Sequence, residues 1–384
     1  MIILEKPFVS ETLIRCAVAH GIPVLRNGMS EQLVRSGHAL NLYDDGAFGE
    51  AVRQGKRLYT MSENALGWLS EHLPESELLE KAGLLKDKAA FRKICSSMYP
   101  DFFFREVATG SLKQQDADAL PYPLVLKPSV GFLSAGVYVV RDAEEYRRAV
   151  RDIDARFREV GQRFPACVVG TQRYLMEAFI RGEEYAVDVY FDKEGKPIIL
   201  NIFHHRFADE SDTSDRLYCS SRALYDRYET PFTDFLVEIN RVFRLHDFPI
   251  HIEFRYDGTR AIPIEINPLR FAGFCLNELQ MHISGLHPVT AYLNDVHVGR
   301  EEMWKGKEND TYSFLVLERP SDVPETVRFN RRRFCTDFSD VLEIREVTDP
   351  AAGVSATAFL RTDQAHEEEF HRILHLDMHD YVSE

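Results

Sequence analysis

The sequence predicts a mixed α/β and α+β fold, with a small parallel α/β part at its N-terminus. Strand-like and helix-like runs alternate over residues 1–85, which is typical of a parallel sheet with flanking helices. From Pro123 onwards the pattern changes to strands joined by short turns that contain glycine, as in hairpins. The 384 residues are enough for two or three domains.

The composition is that of a globular protein, since 45% hydrophobic and 28% charged residues allow a core and a polar surface. The formal net charge of −15 would repel a phosphate backbone, so we expect no nucleic-acid partner. The six cysteines are scattered and form no CxxC, which argues against a zinc site or a disulfide framework and favours a cytoplasmic protein. We expect no signal peptide and no membrane span, because the apolar runs are too short.

The N-terminal part contains three short apolar runs that are predicted strands, at residues 1–4, 22–25 and 39–43. Ser10 is expected to cap a helix that ends near Gly21, and Ser30 a second helix that ends at Gly37. No GxGxxG follows the first strand, so the sequence does not predict a dinucleotide site there.

The remaining chain is predicted to alternate helices with paired strands. Helices are predicted at residues 62–98, with a break near Pro74, and at 144–160, 233–245, 276–293 and 367–376. Strands are predicted at residues 124–128, 136–140, 173–180, 184–192, 196–205, 250–257, 260–267, 312–318 and 355–361. Hairpin turns are expected at residues 192–195 and 257–258, where aspartate and glycine occur together.

The segment HIEFRYDGTRAIPIEIN carries the sharpest pattern, because alternate residues of a strand face the same side. The residues expected to face a core are Ile250, Ile252, Phe254, Ile264 and Ile266. If the strands pair across the turn at 257–258, Glu253 lies near Glu265 and Asn267 on the other surface. Two carboxylates and an amide oxygen form a hard-oxygen site that suits Mg²⁺. Periodicity alone fits a solvated strand face with scattered charges as well.

Two other segments carry residues that suit a phosphate-bearing ligand. Lys127 ends a strand, and Gly131, Ser134 and Gly136 follow in a loop whose backbone N–H groups could cover phosphates. The loop is not a P-loop, since GxxxxGK[ST] is absent, and by itself it fits a plain hairpin loop.

The second of these segments is acidic. Glu177 and Glu184 flank a turn at residues 181–182, where their carboxylates could accept hydrogen bonds from ribose hydroxyls. Taken alone, it fits an exposed acidic hairpin equally well.

Taken together and in this order, these segments resemble the ATP-grasp superfamily of the carboxylate–amine or carboxylate–thiol ligase type. KPSVGFLSAG resembles its phosphate loop, EAFIRGEE its adenine and ribose segment, and IEF with EINPLRFAG its metal-binding strands. KDKAAFRKI resembles the family's Asp-Lys helix start. The resemblance covers roughly residues 1–295 and is loose beyond about residue 300.

The resemblance implies three domains, at residues 1–85 (a small α/β domain), 86–298 (a two-lobed ATP-grasp domain) and 299–384 (a C-terminal α+β extension). It implies a nucleotide site with these members: Lys88 and Lys127 on the phosphates, the loop residues Gly131, Ser134 and Gly136, Glu177 and Glu184 on the nucleoside, and Ala178 and Phe179 in the hinge beside adenine. It implies metal ligation by Glu253, Glu265 and Asn267.

Two arginines are the predicted catalytic residues. The resemblance makes Arg270 the group that holds an acyl phosphate, although many relatives place this arginine two residues after the asparagine, and here Pro268 and Leu269 intervene. Arg206 follows a strand that borders the expected site and could fork onto a substrate carboxylate. His205 is expected to be a structurally hydrogen-bonded histidine.

The resemblance therefore implies a ligase that uses ATP and Mg²⁺, with Mn²⁺ as an alternative ion, to activate a carboxylate as an acyl phosphate. An amine or thiol would then attack and release phosphate. The expected partners are small-molecule carboxylate and amine substrates, and a homodimer is left open. A small-molecule kinase on the same fold and a non-catalytic nucleotide-binding module are the alternatives.

Overall fold

The structure is a computed structural model that describes residues 1–6, 8–129, 136–163, 173–209, 212, 214–324, 326–347 and 353–383. The chain divides into two compact units. The larger unit comprises Met1–Ala82 and Glu183–Glu384, and the smaller unit comprises Gly83–Gly182. The three domains inferred from the sequence stay a prediction, since they divide the chain along different lines.

The α-helices of the described residues are α1 (Glu11–Ala19), α2 (Gly28–Arg35), α3 (Asp45–Arg53), α4 (Ala65–His72), α5 (Glu77–Lys86), α6 (Lys88–Cys95), α7 (Ala143–Arg163), α8 (Arg222–Phe243), α9 (Leu279–Ser284), α10 (Pro288–Asn294), α11 (Arg300–Met303), α12 (Arg331–Asp337) and α13 (Glu368–Leu374).

The strands are β1 (Ile2–Ile3), β2 (Pro23–Leu25), β3 (Asn41–Tyr43), β4 (Tyr59–Thr60), β5 (Phe104–Ala108), β6 (Leu124–Pro128), β7 (Tyr138–Val140), β8 (Arg173–Ala178), β9 (Glu183–Phe191), β10 (Pro197–Arg206), β11 (Leu217–Ser221), β12 (Phe248–Tyr256), β13 (Ala261–Pro268), β14 (Thr311–Glu318), β15 (Arg328–Phe329), β16 (Val341–Glu346), β17 (Val354–Thr362) and β18 (Val382–Ser383).

A small parallel sheet forms the start of the larger unit, in the order β3-β2-β1-β4. Ser10 caps α1 by accepting a hydrogen bond from the Leu13 N–H, as predicted. Asn27 rather than Ser30 caps α2, because the two residues form a reciprocal capping box in which Ser30 is the third helical residue. Apolar residues of β1 and β2 pack with Tyr190 and Tyr292 in one core cluster.

An antiparallel sheet of eight described strands dominates the larger unit, in the order β13-β12-β9-β10-β11-β14-β17-β16. Its two faces differ because side chains alternate along each strand. On one face, Tyr185, Ile252 and Phe254 pack against Phe232 and other aromatic residues of α8. We call this the α8 face, and we call the other face, which carries Glu184 and Glu253, the acidic face. The mixed α/β and α+β class is confirmed.

The smaller unit contains the antiparallel sheet β5-β8-β6-β7. Its core is formed by buried residues of these strands with Tyr146, Val150 and Ile153 of α7. Gly131 and Ser134, the predicted loop residues, lie outside the described residues. Gly136, the third predicted loop residue, has φ of 79°, a left-handed conformation that glycine adopts without strain.

Four sequence predictions about elements need correction. The helix predicted at 276–293 is interrupted, because a 3₁₀ turn precedes α9 and Gly285 ends that helix at φ of 77°. The helix predicted at 233–245 begins at Arg222 and continues through Pro231, with its apolar stripe buried against the sheet. The helical stretch predicted at 62–98 is divided among α4, α5 and α6. Ile264 is half-buried rather than core, because a bulge shifts the register of β13 at that residue.

In the part of the chain that the structure describes, no helix is both long and apolar enough to cross a membrane.

Candidate functional site

A buried cluster of three charged side chains lies in the smaller unit. The Lys127 Nζ of β6 is 2.5 Å from Oε1 of Glu177 on β8. The Arg92 Nε of α6 is 2.6 Å from the other oxygen, Oε2. Val125 pairs with Glu177 across the sheet, so Lys127, two residues further on, extends from the same face. Glu177 therefore holds both cations in place.

Burial and charge act against each other in this cluster. Burial favours the neutral form of Glu177, but the Arg92 and Lys127 cations hold its pKa below the usual value. Burial lowers the pKa of Lys127, which Glu177 partly offsets. The Nη1 and Nη2 atoms of Arg92 are buried and have no hydrogen-bond partner among the described residues. These two donors are available to an anion.

Lys88 is the first residue of α6 and is buried. Asp87 caps this helix by accepting hydrogen bonds from the N–H groups of Ala89 and Ala90, at 2.9 and 3.0 Å. The Lys88 N–H donates to the Ser129 carbonyl at 3.1 Å, so the start of α6 is tied to the end of β6. The two predicted phosphate lysines thus lie on adjoining elements of one unit.

The hinge expected beside adenine is the end of β8. The Ala178 N–H donates to the Phe103 carbonyl at 2.9 Å, and the Phe179 N–H donates to the Pro123 carbonyl at 3.0 Å. These two amides are satisfied within the smaller unit. A backbone contact from Ala178 or Phe179 to a base would therefore have to use a carbonyl oxygen.

The predicted metal residues lie together on the acidic face of the larger unit. Glu253 on β12 pairs directly with Glu265 on β13, and His251 pairs with Asn267. The Nδ2 atom of Asn267 donates to Oε1 of Glu265 at 3.3 Å, which leaves the amide oxygen as an acceptor. Loss of contact with water raises the pKa of Glu253, and the neighbouring Glu265 carboxylate adds to the rise, against the hydrogen bond from His251.

His251 connects Glu253 to a buried carboxylate. Its Nδ1 is 2.9 Å from Oδ1 of Asp188, and its Nε2 is 3.2 Å from Oε1 of Glu253. Asp188 also accepts from the Ala272 N–H at 2.8 Å and from Nδ2 of Asn201 at 3.2 Å. Burial disfavours the charged imidazole, but the two carboxylates raise the pKa of His251 to about 9.

Glu184 lies on the same face as Glu253, and its side chain is 11% exposed. Its Oε1 is 2.9 Å from Nδ1 of His205, and its Oε2 accepts from Nε of Arg255 at 3.2 Å. Burial would raise the pKa of Glu184, but these two partners hold it below the usual value. His205 is a structurally hydrogen-bonded residue, since its Nε2 also meets the Ser214 carbonyl at 3.1 Å.

Arg270 belongs to the larger unit with the predicted metal residues. Its Nη1 donates to the Phe271 carbonyl at 2.9 Å, and its Nη2 lies 3.4 Å from Oε1 of Glu63. Leu269, which precedes it, has φ of 59°. This left-handed residue turns the chain after β13, so Pro268 ends the strand and Leu269 forms the bend that leads to Arg270.

The structure does not place Arg206 with the other predicted site residues of this unit. Its neighbour His205 pairs with Glu184 on the acidic face. Because side chains alternate, Arg206 extends from the α8 face, where its guanidinium lies 4.9 Å from the centre of the Phe370 ring. A substrate contact by Arg206 stays a prediction from the sequence, which this position does not favour.

Comparison with known protein families assigns part of this chain to a domain family. Residues 120–278 match the sequence model of the ATP-grasp domain. This segment is an ATP-grasp domain. It includes β6 and β8 with Lys127 and Glu177, and β9 to β13 with the acidic face.

The fold around the ATP-grasp domain is shared with solved structures. An L-amino acid ligase from Bacillus licheniformis superposes with a TM-score of 0.69 at 17% identity, over 100% of this chain and 97% of that chain. Biotin carboxylase from Campylobacter jejuni superposes with a TM-score of 0.64 at 12% identity, over 94% of this chain and 87% of that chain. N5-carboxyaminoimidazole ribonucleotide synthetase from Thermotoga maritima superposes with a TM-score of 0.64 at 10% identity, over 98% of this chain and 97% of that chain. No curated protein sequence matches the chain significantly.

The chemistry of the acidic face fits a magnesium ion. Glu253, Glu265 and Asn267 offer oxygens of the type that Mg²⁺ prefers, and a cation beside Glu253 would offset the neighbouring carboxylate that raises its pKa. Across the described residues, no three His, Cys, Asp or Glu side chains form a metal cage. Mg²⁺ commonly takes one or two carboxylates and completes its shell with water and phosphate.

Sequence reasoning missed Asp188 and the contact of Arg92 with Glu177. Strand alternation was the signal for Asp188, since Glu184, Ala186 and Asp188 follow one another at every second position of β9. A carboxylate in an otherwise apolar run indicates a buried partner. Arg92 carries no such signal, because its contact with Glu177 joins residues 85 positions apart.

Proposed function

We propose that this protein is an ATP- and Mg²⁺-dependent ligase that converts a carboxylate to an acyl phosphate and transfers the acyl group to an amine or thiol. ADP and phosphate would be the other products. The observation that carries the proposal is the direct pairing of Glu253 with Glu265 inside an ATP-grasp domain. Two facing carboxylates are oxygen ligands of the type that Mg²⁺ prefers, so this arrangement favours a bound metal ion.

The smaller unit supplies the phosphate and nucleoside contacts in this proposal. Lys127, positioned by Glu177, and Lys88, at the start of α6, donate to phosphate oxygens. The sequence resemblance makes Gly131, Ser134 and Gly136 the candidates that would cover the phosphates. Glu177 acts mainly by positioning Lys127. Glu184, which belongs to the larger unit, is the remaining candidate for a ribose contact.

The larger unit supplies the metal ligands and an anion-binding arginine. Glu253, Glu265 and Asn267 would hold magnesium, which neutralises charge on the transferred phosphoryl group. His251 keeps the Glu253 carboxylate oriented through its contact with Asp188. Arg270 is the candidate that meets the acyl phosphate, since its guanidinium is held by Glu63 near the end of β13. Most of the catalysis then comes from positioning and fixed charge.

Two alternatives use the same residues and differ in what leaves the enzyme. A small-molecule kinase would release ADP and keep the phosphate on its product. A non-catalytic nucleotide-binding module would bind Mg-ATP without turnover. Because a module that binds Mg-ATP would need these carboxylates as well, ATP turnover is the measurement that separates it from the two enzymes.

The test is replacement of Glu265 by Gln, which keeps the shape and removes the charge. We expect Mn²⁺ affinity, measured by electron paramagnetic resonance, to fall at least about tenfold, because a hydrogen-bonding or ligating contact to a charged group contributes about 1.5–3 kcal/mol. ATP turnover should fall with it. Glu194, an exposed residue of the β9–β10 turn, provides the control Glu194→Gln. Unchanged Mn²⁺ affinity in Glu265→Gln would refute the metal assignment.

A further inference from the structure

Arg206 has no role in the proposed reaction, yet it lines a cavity on the α8 face of the sheet. The cavity has a volume of about 260 Å³. Its lining includes His204, Arg206, Cys219, Leu224, Glu367 and Phe370. All of these residues belong to the larger unit.

Among the residues that the structure describes, the Arg206 guanidinium is held in place without an acidic partner. It lies over the Phe370 ring, 4.9 Å from the ring centre, and beside the Cys219 thiol. Burial raises the pKa of that thiol, and hydrogen bonds from Ser313 and Arg206 oppose the rise. No carboxylate of the described residues forms an ion pair with Arg206. A partly buried guanidinium presents a fork that fits a carboxylate in two parallel hydrogen bonds.

Glu367 places the opposite charge on the same cavity. It is exposed and lies one turn before Phe370, whose N–H donates to the Glu367 carbonyl at 3.2 Å. Although Arg206 and Glu367 line one cavity, no ion pair joins them. Two opposite charges that face a cavity without meeting are complementary to a ligand that carries both charges.

The volume of the cavity and its apolar residues restrict further which ligands it can bind. A volume of about 260 Å³ lies just below the range of roughly 300–1,000 Å³ for pockets that take drug-sized molecules. Leu224 and Phe370 form an apolar wall. We propose that this cavity binds a small zwitterion with the chemistry of an α-amino acid. Its carboxylate meets Arg206, its ammonium group meets Glu367, and its side chain lies against Leu224 and Phe370.

This site is independent of the metal residues. Arg206 and His204 extend from the α8 face of β10, whereas Glu184 and Glu253 extend from the acidic face. Binding at the cavity therefore requires neither ATP nor Mg²⁺. The ligase proposal and this one can fail separately.

The test is calorimetry of the full chain without nucleotide and with EDTA. The probes are L-alanine, L-leucine and L-phenylalanine, each also as its N-acetyl derivative and its methyl ester. At least one parent amino acid should bind with a dissociation constant below about 1 mM. Its two derivatives should bind at least about tenfold more weakly, because each lacks one charged contact.

Variants assign each charge to its residue. In Arg206→Gln, binding of the parent amino acid should weaken at least about tenfold. Binding of the methyl ester should be no weaker than its binding to the wild-type chain. In Glu367→Gln, binding of the parent amino acid should weaken, and binding of the N-acetyl derivative should equal its binding to the wild-type chain. The matched control is Arg227→Gln, since Arg227 also lies over an aromatic ring, 5.0 Å from the centre of Tyr228, but does not line the cavity.

Three results would overturn the proposal. One is the absence of binding by every probe to the wild-type chain. Another is equal binding by wild type and Arg206→Gln. The third is loss of binding in Glu253→Gln but not in Arg206→Gln, which would place the ligand on the acidic face. If Arg206→Gln fails to fold, the exposed Glu367→Gln variant and Arg206→Lys, which keeps the charge, carry the test.

Discussion

A single buried histidine shows how far the residues of this site depend on one another. His251 lies between Asp188, which is fully buried, and Glu253, which is partly exposed. Strand alternation alone places His251, Glu253 and Glu265 on one face, and the observed register confirms that grouping. The partner Asp188 was not predicted, because the pairing of β12 with β9 joins residues 63 positions apart.

The raised pKa of His251 predicts a pH dependence of stability. Its pKa in the folded chain is about 9, against a usual 6.5, so folding favours the protonated form. That contribution is complete below pH 6.5 and is lost as the pH rises through 9. We expect the free energy of unfolding of the metal-free chain to fall by about 3 kcal/mol over this window, as measured by urea unfolding in EDTA.

The His251→Gln variant is the comparison for this prediction. It should be less stable than wild type at pH 6.5 and should show a flatter dependence between pH 6.5 and 9. Exposed His20, the residue that follows α1, provides His20→Gln as a control with the wild-type slope. Parallel curves for wild type and His251→Gln would contradict the assignment of the charge to His251.

At the level of elements, the sequence predicted the strands of the candidate site and their hairpins, but it missed β5, β11 and β16 and placed helix ends poorly. The hairpins at 192–195 and 257–258 are confirmed by the antiparallel pairing of β9 with β10 and of β12 with β13. Helix α8 was predicted too short because Pro231 usually ends a helix, whereas here burial of the flanking aromatic residues outweighs its cost. The bulge at Ile264 has no local signal, since apolar alternation continues through it.

The ion cluster that joins α6, β6 and β8 predicts a local effect of Glu177→Gln. This change leaves the Arg92 and Lys127 cations buried without their shared carboxylate. Breaking a buried pair in this way costs about 3–5 kcal/mol. We expect faster amide hydrogen exchange across the smaller unit, measured by mass spectrometry.

The matched control is Glu144→Gln in the same unit. Glu144 pairs with Arg148 at 2.7 Å on the exposed surface of α7, and exposed pairs contribute at most about 1 kcal/mol. Exchange in this variant should match wild type. Equal exchange in Glu177→Gln and Glu144→Gln would show that the cluster contributes little to the stability of the unit.

Across the whole molecule, the C-terminal residues are part of the large sheet and of a buried network. β14 pairs with β11, so strands from beyond residue 300 extend the sheet that carries the acidic face. Arg345 of β16 contacts Glu278 at 2.6 Å, and Glu278 accepts from Ser10, the cap of α1. The sequence could not predict this network, because it joins residues 67 and 268 positions apart.

This network predicts a large loss of stability in Arg345→Met. The change removes the contacts of Arg345 to Glu278 at 2.6 Å and to Glu343 at 2.7 and 2.9 Å. The hydrogen bond from His282 lowers the pKa of Glu343 to about 2, with Arg345 adding to the effect against burial. We expect a loss of about 3–5 kcal/mol, measured by urea unfolding at pH 7.

Arg361→Met is the control for that change. Arg361 lies on β17 and pairs with Asp340 at 2.7 Å, but its side chain is 49% exposed, so the loss should stay below about 1 kcal/mol. A loss of the same size in both variants would contradict a special role for the buried Arg345 network.

The central claim is that the chain uses ATP to ligate a carboxylate, and phosphorus-31 NMR tests it most directly. The purified chain is incubated with ATP, Mg²⁺ and a pool of amino acids and small carboxylates. The predicted result is ADP and free phosphate in equal amounts, formed only when the pool is present and lost in Glu265→Gln. A stable phosphorylated product in place of free phosphate, or no ADP from a chain that binds Mg-ATP, would contradict ligation.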